Sequence, residues 1–351
     1  MIPIKVQIGD RTISDDSECF VIAEVGQNHQ GNLDICKELF DAAKFCGVDA
    51  VKIQKRNNRH LYTKKYFNSI YNSGNAFAKT YGSHRQTLEF TKRQYQQLIK
   101  YARKLGLVFF ATAWDEKSAD FLDDIGVSCF KIASADIHST HLLKYVAKFK
   151  KPMIVSTGTA NIEDIGRAYN AILKNNNKII LMHCTSVYPT PASMLNLKTI
   201  ESLKKEFPKA IIGFSNHFNG ISVDPVAYTL GARVIEKHFT LDRAMKGSDH
   251  SFSLEPIGMR KLVRDLRRVR QALGDGVKKF YEEEREGLHK MGKSIVAAKN
   301  LKAGHKITKG DLAFKSPHVG LLPYEAEKFY GSVLKINLKQ DQALEFRHVQ
   351  A

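Results

Sequence analysis

Between residues 19 and 273 the chain alternates two hydrophobic patterns. One is a short, continuous apolar run. Cys19-Phe20-Val21-Ile22-Ala23 is the first and Ala50-Val51-Lys52-Ile53-Gln54-Lys55 the second; others cover 107–111, 129–133, 153–155, 178–183, 211–214 and 233–237. Runs of this kind predict strands buried on both faces, as in a parallel sheet. The other pattern is an apolar stripe at helical spacing. Leu33, Cys36, Leu39, Phe40 and Ala43 make the first stripe, with Asn32 placed to cap it and Gly47 to stop it. Comparable stripes predict helices over 91–105, 116–125, 140–149, 162–173, 197–207, 221–230 and 256–273. Eight strand–helix units in about 255 residues predict an α/β fold, a (β/α)8 TIM barrel. A doubly wound open sheet is the alternative, but no GxGxxG follows the first strand. One segment, 56–89, breaks the alternation. It is rich in Asn, Tyr and His and reads as a long irregular loop of functional type.

After residue 273 the texture changes. Gly274-Asp275-Gly276 ends the last helix, and 278–290 is strongly charged around Glu282-Glu283-Glu284. From residue 292 short β-like runs at 294–297, 301–304, 312–315 and 334–338 are broken by turns. The expected organisation is a barrel domain over 1–277, a linker over 278–291 and a small β-rich domain over 292–351. About 60 residues cannot bury a large core alone. The tail is therefore expected to lean on the barrel or on a partner subunit.

Hydrophobic residues make up 43% of the chain, which suits a globular protein in water. No apolar run approaches the roughly 18 residues of a membrane span, and Met1-Ile2-Pro3-Ile4-Lys5 is not the start of a secretory signal. The expected location is the cytoplasm, with no membrane partner. Cys19, Cys36, Cys46, Cys129 and Cys184 form no CxxC and sit among apolar neighbours, so reduced, buried thiols are expected. Only Cys184, in His183-Cys184-Thr185-Ser186, stands where a ligand could pass. The net charge of +18 admits a nucleic acid or an anionic substrate as partner. The densest basic cluster, Arg260, Lys261, Arg264, Arg267, Arg268 and Arg270, shares a helix with Met259, Leu262, Val263, Leu266 and Val269. Such a cluster is most simply the solvated face of an amphipathic helix, and no nucleic-acid partner is expected.

In a barrel of this type the C-terminal strand ends carry the chemistry. Here they offer Glu24, Asn28, Lys52, Gln54, Thr112, Lys131, Ser134, Ser156, Thr157, His183, Ser186, Tyr188, Ser215, His217, Glu236 and His238. Glu236 and His238 are two apart on a strand and so share a face. A polar loop follows at Gly247-Ser248-Asp249-His250. Two lysines at equivalent strand ends are hard to bury without an anion. With serine hydroxyls and Gly158 beside them they suit a phosphate or carboxylate. His217 and His238, each a plausible structural histidine alone, together suit a divalent cation with positions left for substrate oxygens. These residues describe a site that binds a phosphorylated or carboxylated small molecule and polarises a carbonyl. Aldol-type carbon–carbon bond formation, phosphoryl transfer and isomerisation all fit that description.

The motifs, in order, resemble those of the sialic acid (N-acetylneuraminate) synthase family. They are Phe20-Val21-Ile22-Ala23-Glu24-Val25-Gly26-Gln27-Asn28-His29, Val51-Lys52-Ile53-Gln54-Lys55, Thr80-Tyr81-Gly82-Ser83-His84-Arg85, Phe130-Lys131-Ile132-Ala133-Ser134, His183-Cys184-Thr185-Ser186-Val187-Tyr188-Pro189, Gly213-Phe214-Ser215-Asn216-His217, Glu236-Lys237-His238-Phe239-Thr240 and Lys246-Gly247-Ser248-Asp249-His250. The tail is similar to the SAF, or antifreeze-like, domain. The resemblance implies condensation of phosphoenolpyruvate with N-acetylmannosamine and water to give a nonulosonic acid and phosphate. It implies Mn or Mg at His217 and His238, with Glu24 and His238 as catalytic residues. It places phosphoenolpyruvate on Lys52, Lys131, Ser134, Ser156, Ser186 and Ser215, and the sugar on Gln54, Tyr188 and Asp249. Lys293, in Gly292-Lys293-Ser294, falls where many bacterial members carry Arg-Arg-Ser, and Ser186 where some carry Asn. A lysine keeps the charge there but loses the guanidinium fork. The resemblance also implies a domain-swapped homodimer, with the partner subunit's tail supplying that cation. The same chemistry on N-acetylmannosamine 6-phosphate, or on a diacetamido sugar leading to legionaminate or pseudaminate, remains open. A non-catalytic carbohydrate- or polyanion-binding protein is the reading from a different class. A deoxyheptulosonate or deoxyoctulosonate synthase is a further one, against which the SAF-like tail argues.

Overall fold

The continuous apolar runs are the staves of a closed parallel barrel. A computed structural model describes residues 4–350. Ahead of the barrel, β1 (Lys5–Ile8) and β2 (Arg11–Ser14) pair as an antiparallel hairpin. The barrel strands are β3 (Phe20–Gly26), β4 (Ala50–Lys55), β5 (Val108–Ala113), β6 (Phe130–Ile132), β7 (Met153–Ser156), β8 (Ile179–Cys184), β9 (Ile211–Asn216) and β10 (Val234–His238). They close in the order β10-β3-β4-β5-β6-β7-β8-β9. This is the expected TIM barrel, and the open doubly wound sheet is excluded. The strands β3, β5, β8, β9 and β10 are buried at every position, which is why their sequences lack polar alternation.

Helix ends follow local chemistry. Asn32 accepts from the backbone N–H groups of Asp34 and Ile35 to start helix Leu33–Cys46, and Gly47 ends it at φ 82°. Capping boxes at Thr91/Gln94 and Asn161/Asp164 start helices Lys92–Lys104 and Ile162–Leu173. The other expected helices are present with ends shifted by a residue or two, the usual range of fraying. Helix Pro256–Leu273 buries Met259, Leu262, Val263 and Leu266, and the basic cluster occupies its remaining faces.

Register positions the site. Glu24 pairs with both Lys52 and His238, Gln54 with Thr112, Thr112 with Lys131, and Ser215 with both Cys184 and Glu236. These neighbours lie at the C-terminal ends of their strands and therefore share one mouth.

Three features differ from the sequence reading. The hairpin of β1 and β2 was not anticipated, although Val6, Ile8 and Ile13 are buried and Gly9 turns at φ 60°. The segment 56–89 is not irregular throughout. It holds short helices Asn58–Leu61, Lys64–Phe67 and Tyr81–Thr87, capped by Asn57, Thr63 and Thr80. They pack through the rings of Tyr62, Tyr66 and Tyr81, so no long apolar stripe announces them. The third difference lies in the tail.

A second compact unit begins at Asp275. Its charged start contains a 3-10 turn, Glu282–Glu284, and a helix, Arg285–Met291. The strand pairs that follow are β11 (Ser294–Ala297) with β12 (Leu312–Lys315) and β13 (Val333–Leu334) with β14 (Val349–Gln350). The expected run at 301–304 is a single bridge from Leu301 to Leu338, and that at 334–338 shrinks to β13. A unit this small closes on a few side chains, Ile295, Ile307, Phe329 and Leu344 among them, and ladders stay short. Among the described residues no helix is long and apolar enough to cross a membrane, and all five cysteines are free thiols.

Candidate active site

The barrel mouth opens into a cleft of about 260 Å³. Glu24, Lys52, Gln54, Lys131, Ser134, Ser156, Ser186, Tyr188, Ser215, His217 and His238 all line it, together with Thr112, Cys184 and Glu236.

At its floor two buried lysines face two buried carboxylates. Lys52 Nζ lies 2.7 Å from Glu24 Oε2 and 3.6 Å from Glu236 Oε1, and donates to Thr112 Oγ1 at 3.0 Å. Lys131 Nζ donates to Ser156 Oγ at 2.6 Å and to the Ile132 carbonyl at 2.9 Å, with Glu236 Oε1 3.9 Å away. Burial works against both ammonium groups. At Lys52 the two glutamates outweigh it and raise the pKa, whereas at Lys131 burial wins over Glu236 and the pKa is lowered. Glu236 is itself buried, but Lys131 and Lys52 together overcome that and hold its carboxyl below the usual range. Glu236 Oε1 also accepts from Ser215 Oγ at 3.4 Å, and Oε2 is buried with no partner. Two lysines and two glutamates share this floor, so an arriving anion competes with the glutamates for the lysines.

The hydroxyl wall is tight. Gly158 N–H donates to Ser134 Oγ at 3.1 Å, and Ser134 Oγ donates to Cys184 Sγ at 3.4 Å. A Cβ on Gly158 would stand 2.2 Å from Ser186 Oγ and 2.7 Å from Ser134 Oγ. Ser186 Oγ is buried without a partner and so is free to donate to a ligand. Cys184 is held as a thiol by burial, which raises its pKa.

The histidines form the opposite wall. Their ring centroids are 5.4 Å apart, and the Tyr188 ring packs tilted against His217 at 4.1 Å. His217 Nδ1 meets the Thr185 carbonyl at 3.1 Å, which directs Nε2 away from it. Burial first, and His238 beside it, lower His217 to a pKa of about 3, so its ring is neutral, the form that binds a metal. His238 Nδ1 is buried with no hydrogen-bond partner and lies 3.9 Å from Asp249 Oδ2. A neutral imidazole fixed by a carbonyl and a second imidazole with an orphaned nitrogen fit a divalent cation. Among the described residues no group of three or more His, Cys, Asp or Glu is arranged to hold a metal. Protein ligation would therefore stop at two imidazoles.

Gln54 Nε2 donates to Glu24 Oε1 at 3.1 Å, and its Oε1 accepts from Arg56. Asp249 accepts from Ser248 Oγ at 2.6 Å. Lys293 belongs to the second unit, exposed just ahead of β11. Asn28 and His183, also at strand ends, are engaged elsewhere. Asn28 Nδ2 donates to the Phe239 carbonyl and to Ser253 Oγ, and His183 Nε2 meets the Leu195 carbonyl. Trp114 and Thr159 line the cleft and Phe252 packs 4.9 Å from His238, but none was anticipated. Trp114 carries a signal, since it continues the two-residue alternation from Thr112 past the end of β5.

The NeuB family model matches residues 39–278 and the SAF domain model residues 292–350. This chain belongs to the NeuB family. It is 35% identical to the N-acetylneuraminate-9-phosphate synthase of Mus musculus over 98% of this chain and 96% of that one. It is 38% identical to the N,N'-diacetyllegionaminic acid synthase of Campylobacter jejuni, covering 92% of this chain and 98% of the other. The crystal structure of the sialic acid synthetase of Leptospira borgpetersenii in complex with citrate superposes with a TM-score of 0.71 at 31% identity, covering 81% of this chain and 95% of that one. The chain is thus an enzyme of the phosphoenolpyruvate-dependent, aldol-type synthase class.

Proposed function

We propose that this NeuB-family enzyme condenses phosphoenolpyruvate with an N-acetylmannosamine-type amino sugar and water, giving a nonulosonic acid and phosphate. The observation that carries the reading is the floor of the cleft, where two buried lysines are matched only by the two buried carboxylates of Glu24 and Glu236. Phosphoenolpyruvate brings a phosphate and a carboxylate to such a floor. Lys52 and Lys131 neutralise them in a site with little water, where electrostatics act most strongly. Ser134, Ser156, Ser186 and Ser215 supply directed donors.

Carbon 3 of phosphoenolpyruvate attacks the aldehyde carbon of the open-chain sugar, and positive charge develops at carbon 2. Water adds there, and the tetrahedral intermediate expels phosphate by C–O cleavage. Glu24, 2.7 Å from Lys52 and hydrogen-bonded by Gln54, is the group proposed to take the proton from that water. Mn or Mg on His217 and His238 would act as a Lewis acid toward the aldehyde oxygen. Tyr188 and Asp249 form the sugar side. Lys293 is proposed to reach the sugar from the partner subunit of a homodimer, on the strength of the family resemblance. Free thiols and a glycolytic co-substrate favour the cytoplasm.

The test is phosphate release from phosphoenolpyruvate by the purified chain. Release that requires both an amino sugar and Mn or Mg is expected, with loss in excess EDTA and recovery on adding metal. Absence of release with every mannosamine- and altrosamine-type acceptor overturns the reading. Full activity in EDTA overturns the metal assignment alone.

A further inference from the structure

Beyond the strand ends lie two arginines, Arg56 and Arg85, whose guanidiniums make no ion pair with a carboxylate among the described residues. Arg56 continues the alternation Lys52, Gln54 just past β4 and is 6% exposed. Its Nη2 donates to Gln54 Oε1, its guanidinium lies 4.2 Å over the Trp114 ring, and its Nε is buried with no partner. Trp114 Nε1, on a residue that lines the cleft, is also buried with no partner. Arg85, on helix Tyr81–Thr87, donates from Nε and Nη2 to Tyr81 Oη at 3.1 and 3.0 Å and from Nη1 to Gln27 Oε1. All these acceptors are neutral.

The acids nearby are engaged elsewhere. Glu89 holds Lys55 Nζ at 2.6 Å and the Arg56 backbone N–H at 3.0 Å. Asp249 accepts from Ser248. Asp136 senses Arg56 but makes no ion pair with it, and its carboxyl is raised to about 6, chiefly by burial. After burial, Arg85 is the leading influence disfavouring the charge of Arg56, so the two cations are close enough to repel. A buried guanidinium without a counter-ion is costly. Arg56, with half-buried Arg85 close by and the Trp114 indole N–H under it, makes a fork-like donor set suited to the several oxygens of a dianion.

We propose that Arg56, Arg85 and the Trp114 N–H recognise a phosphate on the far end of the acceptor, which makes the acceptor a phosphorylated amino sugar. This rests on the synthase reading above. The phosphate of phosphoenolpyruvate already has the lysine floor, two strand positions deeper than Gln54. Gln54, which accepts from Arg56, and Trp114, under its guanidinium, line the same cleft as the histidines, so the arginines stand one side chain behind that cleft and a sugar phosphate extending past Gln54 and Trp114 would meet them.

The test compares kcat/KM for N-acetylmannosamine 6-phosphate, N-acetylmannosamine and a diacetamido sugar in the native enzyme and in Arg56→Gln, Arg85→Gln and Arg85→Lys. The native enzyme is expected to favour the sugar phosphate by about 100-fold or more. Each Gln variant narrows that ratio by about tenfold or more, and Arg85→Lys by less, since hydrogen bonds to charged groups are worth about 1.5–3 kcal/mol. Calorimetry with the sugar phosphate, run beside a thermal melt of each variant, reads binding without turnover. Weaker binding by a folded Arg85→Gln supports the proposal. Preference for an uncharged acceptor overturns it while leaving the synthase reading intact. A variant that raises KM for phosphoenolpyruvate and leaves the ratio unchanged assigns the pair to that substrate and also overturns it. Phosphoenolpyruvate left unconsumed with all three acceptors overturns both readings.

Discussion

Replacing Glu236 by Gln tests whether one carboxylate holds the lysine floor together. Glu236 Oε1 lies 3.6 Å from Lys52 Nζ and 3.9 Å from Lys131 Nζ. At an effective dielectric constant of about 20, each separation corresponds to about 4 to 5 kcal/mol of attraction. Against this, the substitution relieves the cost of burying Glu236 itself, which is several kcal/mol. The loss falls unevenly. Lys52 keeps Glu24 at 2.7 Å, whereas Lys131 keeps only the Ser156 hydroxyl and the Ile132 carbonyl. The net destabilisation is expected near the low end of what breaking a buried pair costs, about 3 kcal/mol. For a domain of this size that lowers Tm by roughly 6 °C. Melting curves with and without phosphoenolpyruvate provide the measurement, and the ligand should raise Tm more in the variant, because its anionic groups replace the missing charge.

The pH dependence gives a second readout on the same variant. Folded Lys131 has a lowered pKa, so between that value and the unfolded value near 10.4 the unfolded chain binds more protons. Stability therefore rises with pH across that window, and the burden of the buried charge is full below the folded pKa. Losing Glu236 lowers the folded pKa further and widens the window. The melt of Glu236→Gln should climb more steeply than that of the native enzyme as pH rises toward the unfolded lysine value near 10.4. Identical melts and identical pH slopes would show that neither lysine depends on Glu236.

Two other substitutions probe different parts of the barrel. Gly158→Ala pushes a methyl into Ser186 Oγ and Ser134 Oγ, at 2.2 and 2.7 Å. It should raise KM for phosphoenolpyruvate by about tenfold, the worth of one lost hydrogen bond to a charged group, and the overpacking, about 1–3 kcal/mol, should lower Tm by a few degrees; native KM would exclude that wall as the anion site. His29, packed tilted 4.4 Å from Phe90, is lowered to about 3, mainly by burial, so as pH falls below about 6.5 the unfolded chain takes up its proton first and stability is lost down to about 3. At pH 5 that loss is about 2 kcal/mol, and His29→Gln should remove it from urea-unfolding free energies compared at pH 7 and pH 5. An unchanged pH slope in the variant would assign the acid sensitivity to other groups.

The barrel was legible in the chain because a parallel strand buried on both faces must be written as an apolar run, and its helix as a stripe. Lys52, Lys131, Ser215, His217 and His238 were legible too, since each interrupts or ends such a run where a barrel opens to solvent. Hairpin β1–β2 and the helices in 56–89 were not, because their stability comes from caps, a glycine turn and a few rings rather than from a long periodic face.

What the sequence determined by itself is the periodicity, and with it which residues stand at which strand ends. Only closure of the barrel decided who meets whom. Strand register sets Glu24 beside Lys52, and the curvature of the ring brings Glu236 of β10 within reach of Lys131 on β6, strands that are not neighbours. Likewise nothing in the order of residues places Arg56 on Trp114 with Arg85 near. Charge balance in a buried site depends on distances across the ring, and those exist only once the chain has closed on itself.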